Sequence, residues 1–275
     1  MTSLLVIGGG NMGAAILRGA LAKGLLAPGQ VCIVEPDTAK HAEFTALGVE
    51  CHTELAAAVG FLKKHIQAKV LLAVKPQMLP AVAEVWKDAG LGAWSGIMIT
   101  ILAGMPGARV RDALGPGVRV VRAMPNLPAA IGEGATALCV SAGATRADAE
   151  WAEKLFAGIG PVVLRTSEEL IDAFTAAAGS GPAYVFALAE AMEAAAQRQG
   201  FDAASARAMV VQTIKGAALM LVESDESAGV LRARVTSKGG TTEAALGAMM
   251  AGGFATSIGD GMDAAVRRAH ELAKM

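Results

Sequence analysis

The run Leu4-Leu5-Val6-Ile7-Gly8-Gly9-Gly10-Asn11-Met12-Gly13 decides how the rest of the chain is read. Four branched apolar residues lead directly into a Gly-x-Gly-x-x-Gly at Gly8, Gly10 and Gly13, and an apolar stretch follows. A strand that turns on glycines into a helix is the opening unit of a dinucleotide-binding sheet. Gly8 permits the tight turn, Gly10 lets a pyrophosphate approach the backbone, and Gly13 lets helix and strand pack closely. The amides and positive dipole end of the helix start suit phosphate. A glycine-rich turn with no ligand is the plainer alternative, and the position between a strand and a helix disfavours it.

Outward from this run, Ser3 to Gly8, Val31 to Glu35, Val70 to Val74, Ile97 to Leu102, Val118 to Ala123 and Pro161 to Leu164 are short apolar or β-branched stretches. Each is bounded by Gly, Pro or charge, which predicts strands. Amphipathic stretches at Met12 to Lys23, Asp37 to Leu47, Leu79 to Asp88 and Pro106 to Leu114 alternate with the early ones. Such alternation predicts βαβ units, so the fold class is α/β with an N-terminal Rossmann domain and a parallel-rich sheet. After Leu164 the texture changes. Glu168 to Ala178, Pro182 to Gln199, Ala203 to Val222, Ala228 to Arg234 and Thr242 to Met250 all read as helical. The expected division is therefore residues 1–166 for the dinucleotide domain and 167–275 for an all-helical domain, with no 20–50-residue repeat.

Composition limits the functions open to such a chain. With 275 residues, 53% hydrophobic and 18% charged, it has material for a large core and roughly two domains. The 24 basic and 25 acidic residues leave a net charge of -1 and form no basic block, so a nucleic-acid partner is not expected. No uninterrupted apolar run reaches the ~18 residues of a membrane span. The most apolar stretches, Gly96 to Ala108 and Gly239 to Gly259, are broken by glycines, Pro106 and Glu243. The N-terminal Met1-Thr-Ser-Leu-Leu-Val-Ile-Gly lacks the basic region and cleavage pattern of a secretory leader. Cys32, Cys51 and Cys139 are odd in number, far apart and without CxxC spacing, which predicts core thiols in a reducing cytoplasm and neither a disulfide nor a thiolate metal site. His41, His52, His65 and His270 lack metal-ligand spacing, so no metal is expected. Abundant Ala and Gly with only 4% aromatics predict helices packed closely through small side chains, including contacts between subunits.

Three further places carry chemistry. Glu35 lies 22 positions after Gly13, near the spacing at which a carboxylate takes the ribose hydroxyls, and it favours NADH because it repels a 2′-phosphate. Lys40 is the one cation nearby, and an exposed charge ending a strand is the plainer reading of Glu35. Ala73-Val74-Lys75-Pro76 ends a strand at the carboxyl edge, where open α/β sheets bind ligands. In the helical half, Ala178-Gly-Ser-Gly-Pro-Ala-Tyr184 suits either a tight helix joint or a ligand contact. Val235-Thr-Ser-Lys-Gly-Gly-Thr-Thr-Glu243 opens a helix with amides and hydroxyls, a ready place for a carboxylate. No nucleophile elbow or P-loop is present, and a dinucleotide site without a resident acid or metal points to hydride transfer.

Taken together, Ile7 to Met12, Ala73 to Gln77, Arg122-Ala-Met-Pro-Asn126, Gly179 to Tyr184 and Val235 to Thr242 resemble the pyrroline-5-carboxylate reductases across nearly the whole chain. The resemblance implies a helical domain that dimerises by interlocking helices, a larger ring of dimers, and reduction of L-1-pyrroline-5-carboxylate to L-proline by NAD(P)H. It implies that Ile7, Gly8, Gly9, Gly10, Asn11, Met12, Val74, Lys75 and Ala103 line the cofactor. It also implies that Glu168, Ser237, Gly240, Thr241 and Thr242 surround the substrate, with Thr242 on the ring nitrogen as the catalytic contact. Three departures from the family pattern stand out. Glu35 replaces a common serine or asparagine, Arg234 a common asparagine, and Leu127 a common threonine. A hydroxyacid or F420-linked dehydrogenase and a non-catalytic dinucleotide-binding regulator are the alternatives. Lys215 lacks the asparagine four residues on that the hydroxyacid type needs, and the intact Ser237 to Thr242 loop disfavours the regulator.

Overall fold

The computed structural model describes residues 3–274; Met1 and Thr2 of the stretch read for a leader, and Met275, lie outside them. The first part of the chain runs β1 (Leu4–Ile7), α1 (Asn11–Ala22), β2 (Val31–Val34), α2 (His41–Ala46), β3 (Glu50–His52), α3 (Val59–Lys64), β4 (Lys69–Leu72) and α4 (Leu79–Asp88). It continues with β5 (Ile97–Thr100), α5 (Gly107–Leu114), β6 (Arg119–Pro125), β7 (Ala135–Val140), α6 (Arg146–Phe156), β8 (Val162–Arg165) and α7 (Glu168–Phe174).

The strands form one eight-stranded sheet in the order β3-β2-β1-β4-β5-β6-β7-β8. Every neighbouring pair is parallel except β6 and β7, which run antiparallel with Arg122 opposite Cys139. The β1, β2 and β5 strands are buried along their whole length, as a parallel sheet covered on both faces requires of its Val, Ile and Leu runs. One core forms on each face: Cys32, Val70, Trp86 and Val120 belong to one, Val6, Ile33, Phe44 and Phe156 to the other. Strand order reverses between β1 and β4, and a crevice opens at such a switch point beyond the carboxyl ends of the strands.

The sequence pattern did not single out β3, β7, α3, α6 or the C-terminal helix Phe254–Lys274. β3 has three residues, and β7 is Ala-Thr-Ala-Leu-Cys-Val, in which small side chains replace the usual β-branched run. α6 carries a readable start signal. The Thr145 hydroxyl accepts the Asp148 N–H (3.3 Å), and an Asp148 carboxylate oxygen accepts the Thr145 N–H (2.8 Å).

By contacts, Met1–Ser180 with Ala265–Met275 forms one compact unit and Gly181–Ala264 a second. Sequence texture changes at 166/167, whereas contacts divide at 180/181. The difference has a cause: α7 and the following Thr175–Gly179 π-turn pack against β6 and β7. Every second residue from Arg122 holds them. Arg122 Nη2 donates to Asp172 Oδ1 (3.1 Å), Met124 approaches Gly179, and Asn126 Nδ2 donates to the Ala178 carbonyl (3.0 Å). Asn126 Oδ1 also accepts the Ala135 N–H (2.9 Å).

The second unit is helical: α8 (Gly181–Arg198), α9 (Ala203–Glu223), α10 (Ala228–Arg234), α11 (Thr241–Ala251) and the beginning of α12 (Phe254–Lys274). α8 packs on α9. Little is covered, however: α8, α10 and α11 contain no buried residue, α9 buries Ala206 and Val210, and Phe186 is 57% exposed. Among the described residues α9 is also the single helix long and apolar enough to cross a membrane, a property that counting uninterrupted apolar residues overlooked because Arg207 and Lys215 break the run.

Candidate active site

The turn from β1 to α1 is built around its glycines. Gly8 has φ +104°, and a Cβ there would lie 2.7 Å from the Ala73 carbonyl oxygen, so only glycine lets β1 and the end of β4 converge. A Cβ on Gly13 would lie 2.2 Å from the Gly8 carbonyl oxygen, which confirms the close helix–strand packing read from the motif. Gly10 differs, because a Cβ there would meet nothing within 4 Å. It caps α1 without a side-chain partner, leaving the first amides of the helix open to a ligand.

Glu35 follows β2 and is only 7% exposed. Its Oε2 accepts the Gly9 N–H (2.8 Å), its Oε1 accepts the Asp37 N–H (3.0 Å), and Lys40 Nζ lies 3.7 Å away. The Glu35 N–H donates to the His52 carbonyl (2.9 Å), and His41 Nε2 lies 2.6 Å from the Glu35 carbonyl oxygen. A buried carboxylate thus sits beneath the glycine turn, held on both oxygens.

A groove of about 290 Å³ opens at the switch point. Ile7, Gly8 and Val74 line it, as expected, together with Thr53, Leu55 and Val82, which sequence reasoning missed. These three follow β3, begin α3's approach or lie on α4, and only the strand order brings them to β1. Asn11 is exposed, Met12 packs partly on the core, Lys75 is exposed before a Pro76 turn, and Ala103 follows β5, half-buried. The open space above Gly10, the α1 amides and the apolar groove fit a dinucleotide.

The Val235-to-Glu243 loop lies in the second unit. Gly239 has φ +73°, Gly240 caps α11 with its N–H on the Ser237 carbonyl (3.0 Å), and Glu243 Oε2 accepts the Gly239 N–H (2.7 Å). Among the described residues the hydroxyls of Ser237, Thr241 and Thr242 have no hydrogen-bond partner, so three hydroxyls and the amides of the first α11 turn stand ready together. Arg234 is already engaged: its guanidinium meets both Glu226 carboxylate oxygens at 2.6 and 2.7 Å.

Glu168 lies in the first unit, at the start of α7. Its Oε1 accepts the Gly107 N–H at the start of α5 (2.7 Å) and its Oε2 the Ser141 hydroxyl (2.9 Å). Buried Arg122 stands 3.6 Å from the same carboxylate, and the Glu168 side chain remains 34% exposed.

Residues 168–272 match the family described as pyrroline-5-carboxylate reductase dimerisation, and residues 3–103 match NADP oxidoreductase coenzyme F420-dependent. Pyrroline-5-carboxylate reductase from Haemophilus influenzae is 39% identical over 270 residues, covering 97% of this chain and 96% of its own. The chain belongs to the pyrroline-5-carboxylate reductase family. A reductase of that name from Pseudomonas aeruginosa is 36% identical over 272 residues, covering 98% and 96% of the two chains. The solved structure of a pyrroline-5-carboxylate reductase from Coxiella burnetii superposes with a TM-score of 0.88 at 33% identity, covering 99% of both chains. In this pyrroline-5-carboxylate reductase family member, the dimerisation match contains all of α8 to α11. It accounts for helices whose apolar sides are uncovered in a single copy, and α9 falls within it. The NADP oxidoreductase match contains the glycine turn, Glu35, Val74, Lys75 and Ala103.

Proposed function

We propose that this chain reduces L-1-pyrroline-5-carboxylate to L-proline with NAD(P)H, the last step of proline synthesis, and that it favours NADH. The observation that carries the proposal is the trio of unpartnered hydroxyls around the amide-rich start of α11, in a chain that also holds a Rossmann crevice. A small ring that carries a carboxylate suits that loop: the amides at Gly240 and Thr241 take the carboxylate and Ser237 supports it. The Thr242 hydroxyl accepts a hydrogen bond from the protonated ring nitrogen.

When bound, the reduced nicotinamide supplies a hydride. Ile7 to Met12 would seat the pyrophosphate on the α1 amides, Val74, Lys75 and Ala103 would line the cofactor, and Glu35 would take the ribose hydroxyls. The imine arrives already protonated, so hydride addition to its carbon gives the neutral amine without a protein acid. This agrees with a site whose side chains are hydroxyls and amides. Thr242 orients the ring nitrogen, and Glu168, through the exposed edge of its carboxylate, borders the substrate.

Two copies join through the helical unit, and a ring of such dimers is the larger assembly. α11 supports this reading, since its apolar residues lie all round the helix and none is buried in one copy. Oxidation of NADH or NADPH followed with and without pyrroline-5-carboxylate tests the activity. Purified protein that binds dinucleotide yet shows no substrate-dependent oxidation overturns it. Sedimentation that shows a fully active monomer at micromolar concentration overturns the assembly.

A further inference from the structure

Cys32, Glu50 and His52 offer a thiol, a carboxylate and an imidazole whose ligand atoms all lie within 4.8 Å of one another. The register explains the meeting. Cys32 on β2 is the Cα partner of Glu50 on the edge strand β3, and His52 stands two residues beyond Glu50, so all three side chains leave the same face of the sheet. Cys32 is fully buried, His52 is a quarter exposed and Glu50 is open to solvent, so a soft donor lies in the core beneath two harder donors nearer the surface. His52 Nε2 and Glu50 Oε1 already converge at 2.8 Å.

We infer that Cys32, Glu50 and His52 form a binding site for a borderline-soft divalent cation, Zn²⁺ being the best match. Sulfur, imidazole nitrogen and carboxylate oxygen are the three zinc donor types, and a tetrahedral zinc sets its ligand atoms about 3.4–3.6 Å apart. Glu50 is exposed and His52 a quarter exposed, so these two side chains, within 4.8 Å of the Cys32 sulfur, are the ones free to adjust. Water completes the fourth position on the solvent side. On binding, the Cys32 thiol releases its proton to solvent and the thiolate bonds the metal. No redox change is involved. His52 lies one residue before Thr53 of the dinucleotide groove, and the inference does not rest on the proposed reaction.

Cobalt(II) is the probe, because a thiolate ligand gives it a charge-transfer band and a tetrahedral site gives it intense visible bands. Titration of the purified full chain should saturate at one Co²⁺ per chain with both signatures, and Zn²⁺ should displace them. Cys32→Ser should remove the charge-transfer band, whereas Cys51→Ser should keep it. Glu50→Gln at an exposed position and His52→Gln at a partly exposed one should each weaken binding about tenfold or more. Circular dichroism with metal absent establishes that each variant is folded. Absence of the charge-transfer band in the parent chain overturns the inference. So does a band that survives in Cys32→Ser, or affinity unchanged in both Glu50→Gln and His52→Gln, and these two variants decide the matter if Cys32→Ser does not fold.

Discussion

The carboxylate of Glu35 accepts the backbone N–H of Gly9 at 2.8 Å, tying the end of β2 to the middle of the glycine turn. One buried acid therefore shapes the glycine turn and places a negative charge beside it. Space at Gly9 is equally constrained, since a Cβ there would lie 2.9 Å from the Phe44 ring.

This relationship makes cofactor choice testable. A 2′-phosphate near Glu35 brings like charges together, and Lys40 at 3.7 Å offsets part of the repulsion. The expected outcome is about a tenfold higher kcat/KM with NADH than with NADPH, about 1.4 kcal/mol. Glu35→Ser should narrow or reverse that ratio and raise KM for both cofactors, because the Gly9 N–H loses its acceptor. Wild type that prefers NADPH, with the ratio unmoved in Glu35→Ser, contradicts the assignment.

Thr242→Ala should lower kcat/KM for the imine while leaving dinucleotide affinity unchanged. About 1 to 3 kcal/mol is at stake when a hydrogen-bonding partner is left unmatched, roughly five- to a hundred-and-fifty-fold. Steady-state kinetics beside a cofactor titration separates the two effects. A loss of dinucleotide binding places Thr242 in a different role.

Arg122 is 4% exposed at its side chain and faces Asp172 at 3.1 Å and Glu168 at 3.6 Å. Arg122→Met leaves the buried Asp172 carboxylate without its guanidinium, with His270 Nε2 at 3.6 Å still beside it, and a loss of about 3 kcal/mol in unfolding free energy is expected. Adding Asp172→Leu should recover part of it. Urea unfolding of the single and double variants gives the comparison, and additive losses show that the two side chains act independently.

Acid should weaken the N-terminal cap of α6. Burial pushes the Asp148 carboxyl up, but bonds from Arg119 and Thr145 outweigh it and hold the group below its ordinary 3.8. A carboxyl lowered in the folded chain stabilises fully above its unfolded value and loses that contribution as pH falls through the folded value. Asp148→Asn should therefore cost stability at pH 7, and its gap from wild type should close as pH drops below 3.8. Thermal melts across that range show it; a gap independent of pH means the carboxylate charge contributes nothing.

What the sequence disclosed follows from where its information is local. Strand β1, its glycine turn and α1 are neighbours in the chain, so period and glycine spacing show them at once. Glu35 was legible from spacing alone, but its bond to Gly9 was not, because that depends on β2 lying beside β1. Thr53, Leu55 and Val82 reach the groove by strand order, which no local pattern encodes. The motif Arg122 to Asn126 was visible as a pattern, yet its work of holding α7 and the Ala178 segment spans some fifty residues of chain. The Ser237 to Thr242 roles came from family likeness, whereas the loop's readiness as an anion site could be read from its glycines and the helix that follows. Edge strand β3 escaped because three residues carry too little pattern, and the meeting of Cys32 with Glu50 and His52 escaped with it.

The bare surface of α11 has a thermodynamic consequence. Under the proposed association α11 would find its apolar surroundings on another copy, and folding and association would then be one equilibrium, governed by mass action. For a two-copy assembly, each tenfold dilution removes about 1.4 kcal/mol of apparent stability. A melting temperature would then be a property of the solution as well as of the fold, set in part by how many copies are present.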